Sequence, residues 1–289
     1  AAAKLGQLSE VERIVRQSNY YEPERVRDFL KEAKLPDQLP LVIVCDRFNF
    51  VDDLTRYLYK NNMQKYIEPY VTNINPTNTP VVVGALLDED APEDFIMRLI
   101  NLTGNLCPVD QLVKEVEARG KLKLLQGWLE TRYREGNQEP ALHNALAKIY
   151  IDSHNNAETF LLQNKFYESK VVGKYCENRD PYLAFVAYRR GLCDRELIDV
   201  TNRHSLFKHQ ARYLIERQNP ELWAYVLSSE ENAQYRPELV EAVQTCLPDT
   251  RNPEEVSQTM KAFIAAQLQN ELIELLDKLV LDNPNSEFS

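Results

Sequence analysis

The chain has 289 residues, 44% of them hydrophobic, and a formal net charge of −10. That is ample apolar content for a core, but the shortage of Lys and Arg excludes generic binding to a phosphate backbone or to an anionic membrane surface. Only 8 residues are glycine, well below the usual share of about 7%, which favours helices over strand-rich folds with many tight turns.

The elements read in chain order are short and amphipathic. Ser9 with Glu12 has the spacing of a capping box. Val42–Val44 and Val81–Val83 each follow a proline, Pro40 and Pro80, and read as buried helix starts rather than strands. Val51, Leu54 and Leu58 share one helical face, as do Leu206, Phe207, Ala211, Leu214 and Ile215. The same period places Val256, Met260, Phe263 and Ile264 together, and then Leu272, Leu275, Leu276 and Leu279. Asp180-Pro181, Asn219-Pro220 and Asn252-Pro253 each set a side-chain acceptor at the N-cap and proline just inside the helix. Gly120, Gly136 and Gly191 are expected as left-handed residues closing the helices before them. The punctuation gives about 19 helices, one per roughly 15 residues. Ala1–Ala3 and Ser286–Ser289 read as cut points of a longer chain.

An internal repeat organises these helices. Shifting the chain by 156 positions places Phe29 on Phe185, Leu41 on Leu197, Val44 on Val200, Arg47 on Arg203 and Arg56-Tyr57-Leu58 on Arg212-Tyr213-Leu214. Asp46 falls on Asn202, Ile67 on Trp223 and Val71 on Leu227, with no gap from Val26 to Val71. A recurring unit of about ten helices points to an all-α solenoid of stacked antiparallel hairpins, each burying its apolar face on its neighbours. The expected boundaries are residues 1–61 for the end of one repeat, 62–217 for a complete repeat and 218–289 for the start of a third.

Several uninterrupted stretches resemble the clathrin heavy chain family. They are Tyr20–Ala33 (YYEPERVRDFLKEA), Ala145–Ser153 (ALAKIYIDS), Val171–Glu177 (VVGKYCE) followed by Arg179-Asp180-Pro181, and Asn270–Leu276 (NELIELL). The resemblance runs from about Leu5 to Asn283. It implies a middle segment of the leg, around the ankle and distal leg: a non-enzymatic strut of the polyhedral lattice that coats pits and vesicles in endocytosis and intracellular protein transport, on their cytosolic face. It implies other heavy-chain legs as partners, light chains and adaptors held by other parts of the full chain, and an uncoating co-chaperone. Another α-solenoid scaffold or adaptor of vesicle trafficking is the alternative, though no regular 34-residue pattern supports it. A globular all-helical enzyme would instead need a deep pocket with converging carboxylates or histidines.

The residues that carry chemistry elsewhere have structural readings here. Asp88-Glu89-Asp90 with Glu93-Asp94 lacks the glycine-hinged loop of a calcium site and reads as an inter-helix turn with helix-start carboxylates. Asp52-Asp53 has no further carboxylates a turn away and reads the same way. His143, His154, His204 and His209 lack the HExxH spacing and are expected at surfaces or caps. Arg203, Lys208, His209, Arg212 and Arg217 read as a solvated basic face, and Trp128 and Trp223 as core rather than interface anchors. Cys45, Cys107, Cys176, Cys193 and Cys246 are odd in number, widely spaced and without a CxxC, and read as reduced thiols. Asn101-Leu102-Thr103 fits a glycosylation pattern, but no secretory signal or membrane-spanning run is visible. No catalytic, cofactor-binding or metal-ligating residue is assigned. Carboxylates between packed legs are expected to make assembly respond to mild acidification.

Overall fold

The computed structural model describes residues 8–281, and the ends read as cut points lie outside them. Among the described residues the chain is helical, with short 3-10 and π turns and no strand. The chain divides into two compact units, 1–149 and 150–289.

The first unit contains α1 (Leu8–Gln17), α2 (Pro23–Ala33), α3 (Leu39–Arg47), α4 (Val51–Lys60), α5 (Ile67–Pro69), α6 (Thr79–Asp88), α7 (Glu93–Thr103), α8 (Val109–Ala118), α9 (Gln126–Arg134) and the larger part of α10 (Pro140–Asp152). The second contains α11 (Ala157–Gln163), α12 (Ser169–Cys176), α13 (Pro181–Arg190), α14 (Asp194–Arg203), α15 (Phe207–Arg217), α16 (Pro220–Ser228), α17 (Arg236–Cys246), α18 (Pro253–Ala265) and α19 (Gln269–Leu281). Within each unit a helix packs on the next in sequence, as α3 does on α4 and α13 on α14, and on the next but one, as in α4–α6–α8 and α15–α17–α19. That pattern of near neighbours is the packing of a solenoid of stacked hairpins.

The apolar runs after proline are helices. Pro40 and Pro80 sit in the first turns of α3 and α6, and Val42, Ile43, Val44, Val82 and Val83 are buried. Three N-caps form as their sequences require. Asp180 accepts hydrogen bonds from the backbone N–H of Tyr182 (3.0 Å) and Leu183 (3.1 Å). Asn219 accepts from Glu221 (3.0 Å) and Leu222 (3.3 Å), and Asn252 from Glu254 (3.1 Å). Ser9 differs, because α1 takes it inside the helix, and Glu12 pairs with Arg16 instead.

One turn recurs. The N–H of Phe50 returns to the Cys45 carbonyl, Met63 to Leu58, Lys121 to Val116, Asn137 to Arg132, Cys193 to Tyr188 and Leu206 to Thr201. Each closes a helix around a left-handed residue: Asn49, Asn62, Gly120, Gly136, Leu192 and Ser205. Gly191 is therefore not the left-handed residue; its φ is −86° and Leu192 takes that role. Gly191 is needed for space, since a Cβ there would lie 2.3 Å from Ser169 Cβ.

The helices repeat at the 156-residue shift. α3 and α4 fall on α14 and α15, and the left-handed residues Asn49 and Asn62 fall on Ser205 and Gln218. The copies differ at their margins. Phe185 is 4% exposed under α11 and α12, whereas Phe29, preceded by α1 alone among the described residues, is 42% exposed. Ile264 and Leu276, expected in the core, are 62% and 39% exposed, because α18 and α19 are the last described helices and none packs on that face.

Candidate functional site

Several charged residues of the first unit pair between helices. Lys31 on α2 pairs with Asp53 on α4, and Arg27 reaches the same carboxylate at 3.3 Å. Arg56 on α4 spans to Asp88 on α6 (2.7 Å) and Glu89 (3.2 Å) and holds Asp52 one turn back. Arg119 on α8 meets Asp88 from the other side with Nε at 2.7 Å and Nη2 at 2.9 Å, and holds Glu115 with Nη1. Lys148 on α10 pairs with Glu117 on α8. The result is a ladder of ion pairs on α2, α4, α6, α8 and α10. Gly84 in the middle of α6 leaves room for it, since a Cβ there would lie 2.6 Å from Glu115 Oε2 and 3.1 Å from the Arg119 guanidinium.

The two guanidiniums, Arg119 foremost, hold the Asp88 carboxyl down at about 2 against an ordinary 3.8. A carboxylate whose folded value is depressed contributes stability above its unfolded value and loses it as pH falls through the folded one. Asp88→Asn is therefore expected to cost about 1 kcal/mol at neutral pH, as a networked surface pair does. Its unfolding curve should converge with that of the parent chain as pH falls from 3.8 toward about 2, and a difference that persisted there would dismiss the ionic account.

In the second unit a buried carboxylate missed by the sequence reading is the centre. Glu177, just after α12, accepts from the Tyr188 hydroxyl at 2.6 Å and pairs with Lys174 (2.9 Å) and with Arg203 on α14 (3.2 Å). Asp194 accepts from Tyr213 and from Arg217 at 3.0 and 3.1 Å. In the first unit the comparable hub is Asp46, whose Oδ1 accepts from Tyr70 (2.7 Å), Asn75 (2.8 Å) and Asn78 (3.3 Å). Its repeat counterpart Asn202 donates to Asn232 (2.9 Å) and accepts from Gln210 (2.8 Å). The clustered asparagines after Tyr70 are the one sequence signal of that hub.

The remaining flagged residues fall into place. Asp88 and Glu89 are engaged by Arg56, Arg119 and Lys60; Asp90 is a left-handed turn residue; Glu93 and Asp94 open α7. His143 is not at the surface: it is 1% exposed on α10, Nε2 donates to the Asn137 carbonyl at 2.8 Å, and burial lowers its pKa. His154 and His204 lie in exposed turns, and His209 packs edge-on against Tyr182 and Phe185. The basic stretch is only partly solvated, since Arg203 and Arg217 are paired with Asp199, Glu177 and Asp194. Trp128 and Trp223 are core residues. Asn101 is exposed on α7 while Thr103 is buried and donates to the Ile100 carbonyl. All five cysteines are free and buried, and burial pushes the thiols of Cys45, Cys107 and Cys176 up to about 12.

A cavity of about 590 Å³ opens beside Arg132 in the first unit. Arg132 is already engaged, stacking on Trp128 at 4.1 Å and donating to Asn105 Oδ1 and the Gly104 carbonyl. Among the described residues no three His, Cys, Asp or Glu side chains are grouped to hold a metal ion, and no helix is long and apolar enough to cross a membrane.

Comparison with known proteins places this geometry. The family model named Clathrin, described as a region in clathrin and VPS, matches residues 1–94 and 100–236. The chain is 66% identical over 282 residues to a clathrin heavy chain of Dictyostelium discoideum and 61% identical over 284 to that of Drosophila melanogaster. It is 60% identical over 283 residues to clathrin heavy chain 2 of Homo sapiens. Each match covers 98% of this chain and 17% of the relative's length.

Proposed function

We propose a function from one premise: the chain belongs to the clathrin family. It serves as a leg segment of a heavy chain, a strut of the lattice that coats pits and vesicles on their cytosolic side, with other heavy-chain legs as its partners. The observation that carries this reading is where the polar chemistry goes. The clustered carboxylates and arginines join neighbouring helices, as Asp88 is joined to Arg56 and Arg119, which favours a stiffening role over an enzymatic one. Leg-to-leg contacts are individually weak and add by multivalency, which keeps assembly strong and reversible. Light chains and adaptors bind other parts of the full protein, and an uncoating co-chaperone acts on the assembled coat. Identity to clathrin heavy chains at 60–66% favours this over another trafficking scaffold.

Residues 62–217 are taken as one complete repeat. Asn62 and Gln218, the first residues after the proposed boundaries, are both left-handed, which supports cutting the chain there.

The test is replacement. When this segment stands in for the matching stretch of the Dictyostelium heavy chain, the purified chimera is expected to assemble into closed cages, and more readily as pH falls from about 7.5 to about 6, where carboxylate repulsion between legs is relieved. A folded chimera that fails to pellet as coats under either condition rules out the strut reading.

A further inference from the structure

We propose that the cleft between the start of α15 and α17 is a docking groove for an amphipathic segment of a partner protein, in which an apolar anchor residue is flanked by Lys or Arg. The cleft has a volume of about 410 Å³, within the range of clefts that bury most of a drug-sized group (about 300–1,000 Å³). Leu206, Phe207 and Ala242 give it an apolar lining. Glu238 and Glu241 form one lip, three residues apart on the exposed side of α17, and Lys208 stands on the other. None of the three carboxylate or ammonium groups finds an ion-pair partner within 4.0 Å, although they line the same cleft, so the two lips are too far apart to neutralise each other.

The surroundings make this exceptional. Up to Arg217 both units are laced with ion pairs, the last joining Arg217 to Asp194. From Gln218 to Leu281 there are eleven acidic side chains against four basic ones, Arg236, Arg251, Lys261 and Lys278. Among these described residues no ion pair forms, and the negative field is left for an outside cation to complete. A simple cation would not use the apolar lining, and a phosphate-bearing ligand would be repelled by Glu238 and Glu241. A peptide helix or strand with a buried apolar residue and a basic neighbour satisfies both features, and Lys208 sets its orientation by favouring a carboxylate or a C-terminal helix end on its side. His209 packs edge-on against Tyr182 and Phe185, and burial, with the Arg212 charge nearby, lowers its pKa below the ordinary value.

The proposal is tested with the 289-residue chain and a fluorescein-labelled helical peptide of leucine and lysine at amphipathic spacing. Two control peptides carry glutamate in place of lysine, or serine in place of leucine. Polarisation titrations are expected to give saturable micromolar binding of the Leu/Lys peptide and at least about tenfold weaker binding of both controls. The E238K/E241K variant, which keeps the exposed positions and checks as folded by circular dichroism, should lose about tenfold in affinity. E221K/E230K makes the same charge change at other exposed sites and should stay within about twofold. Absence of Leu/Lys binding, equal loss in both variants, or no loss in E238K/E241K would each overturn the groove.

Discussion

Replacing Gly173 with alanine is expected to destabilise the second unit by about 2–3 kcal/mol. Helix propensity alone argues the other way, because alanine inside a helix is favoured over glycine by about 1 kcal/mol. Packing decides the sign. A Cβ on Gly173 would lie 2.4–2.7 Å from the ring of Tyr188. That ring cannot retreat cheaply, since Tyr188 is buried on α13 and its hydroxyl donates at 2.6 Å to Glu177. Moving it would strip a donor from a buried carboxylate that also holds Lys174 and Arg203, and an under-satisfied buried acceptor costs about 1–3 kcal/mol. The control is Gly127 on α9, where an added Cβ would meet nothing within 4 Å. Alanine there should stabilise by about 0.5 kcal/mol. Urea unfolding of the two variants, followed by far-ultraviolet circular dichroism, gives opposite signs if close helix approach is what Gly173 provides.

Trp223→Ala is expected to cost about 3–5 kcal/mol. The indole is 2% exposed on α16 and meets Phe263 of α18 edge-on with ring centroids 6.5 Å apart, so truncation leaves a cavity between two stacked helices. Trp223→Phe should cost about 1 kcal/mol. It keeps most of the ring and removes an indole N–H that has no acceptor, so relief of that buried unpaired donor offsets part of the packing loss. Equal losses in the two variants would mean that the indole nitrogen, not the ring volume, matters at this position. A loss below about 1 kcal/mol for the alanine variant would contradict a core role altogether.

Much of the fold was readable because it is local. Helices that pack on their immediate neighbours leave their period, caps and turns in the sequence, which is why Asp180, Asn219 and Asn252 were legible as N-caps and Val42–Val44 as a buried helix start. The 156-residue shift was legible for the same reason. The turn residues Asn49 and Ser205 differ in type yet share a left-handed backbone, because the shift preserves helix geometry more strictly than identity.

What escaped the reading depends on contacts distant in sequence. Gly191 has the composition of a helix terminator, but its use is fixed by Ser169 on another helix. Glu177 is one of many exposed-looking glutamates until Tyr188, Lys174 and Arg203 converge on it. His143 gave no sign of burial because a lone histidine on a helix face carries no periodic signal. The acid-rich stretch after Gln218 was counted only within the net charge, and its lack of ion pairs appears only when partners are sought in space.

The most direct measurement of the strut account is the edge length of cages assembled from heavy chain lacking residues 62–217. The deletion joins Asn61 to Gln218, reproducing the Arg217–Gln218 step with its left-handed residue, so the shortened leg should fold with its helices in register. Electron microscopy of the assembled lattice is expected to show shorter edges, or open lattices whose legs no longer reach their neighbours. Closed cages with edges of unchanged length would contradict the claim that this segment spans the lattice as a strut.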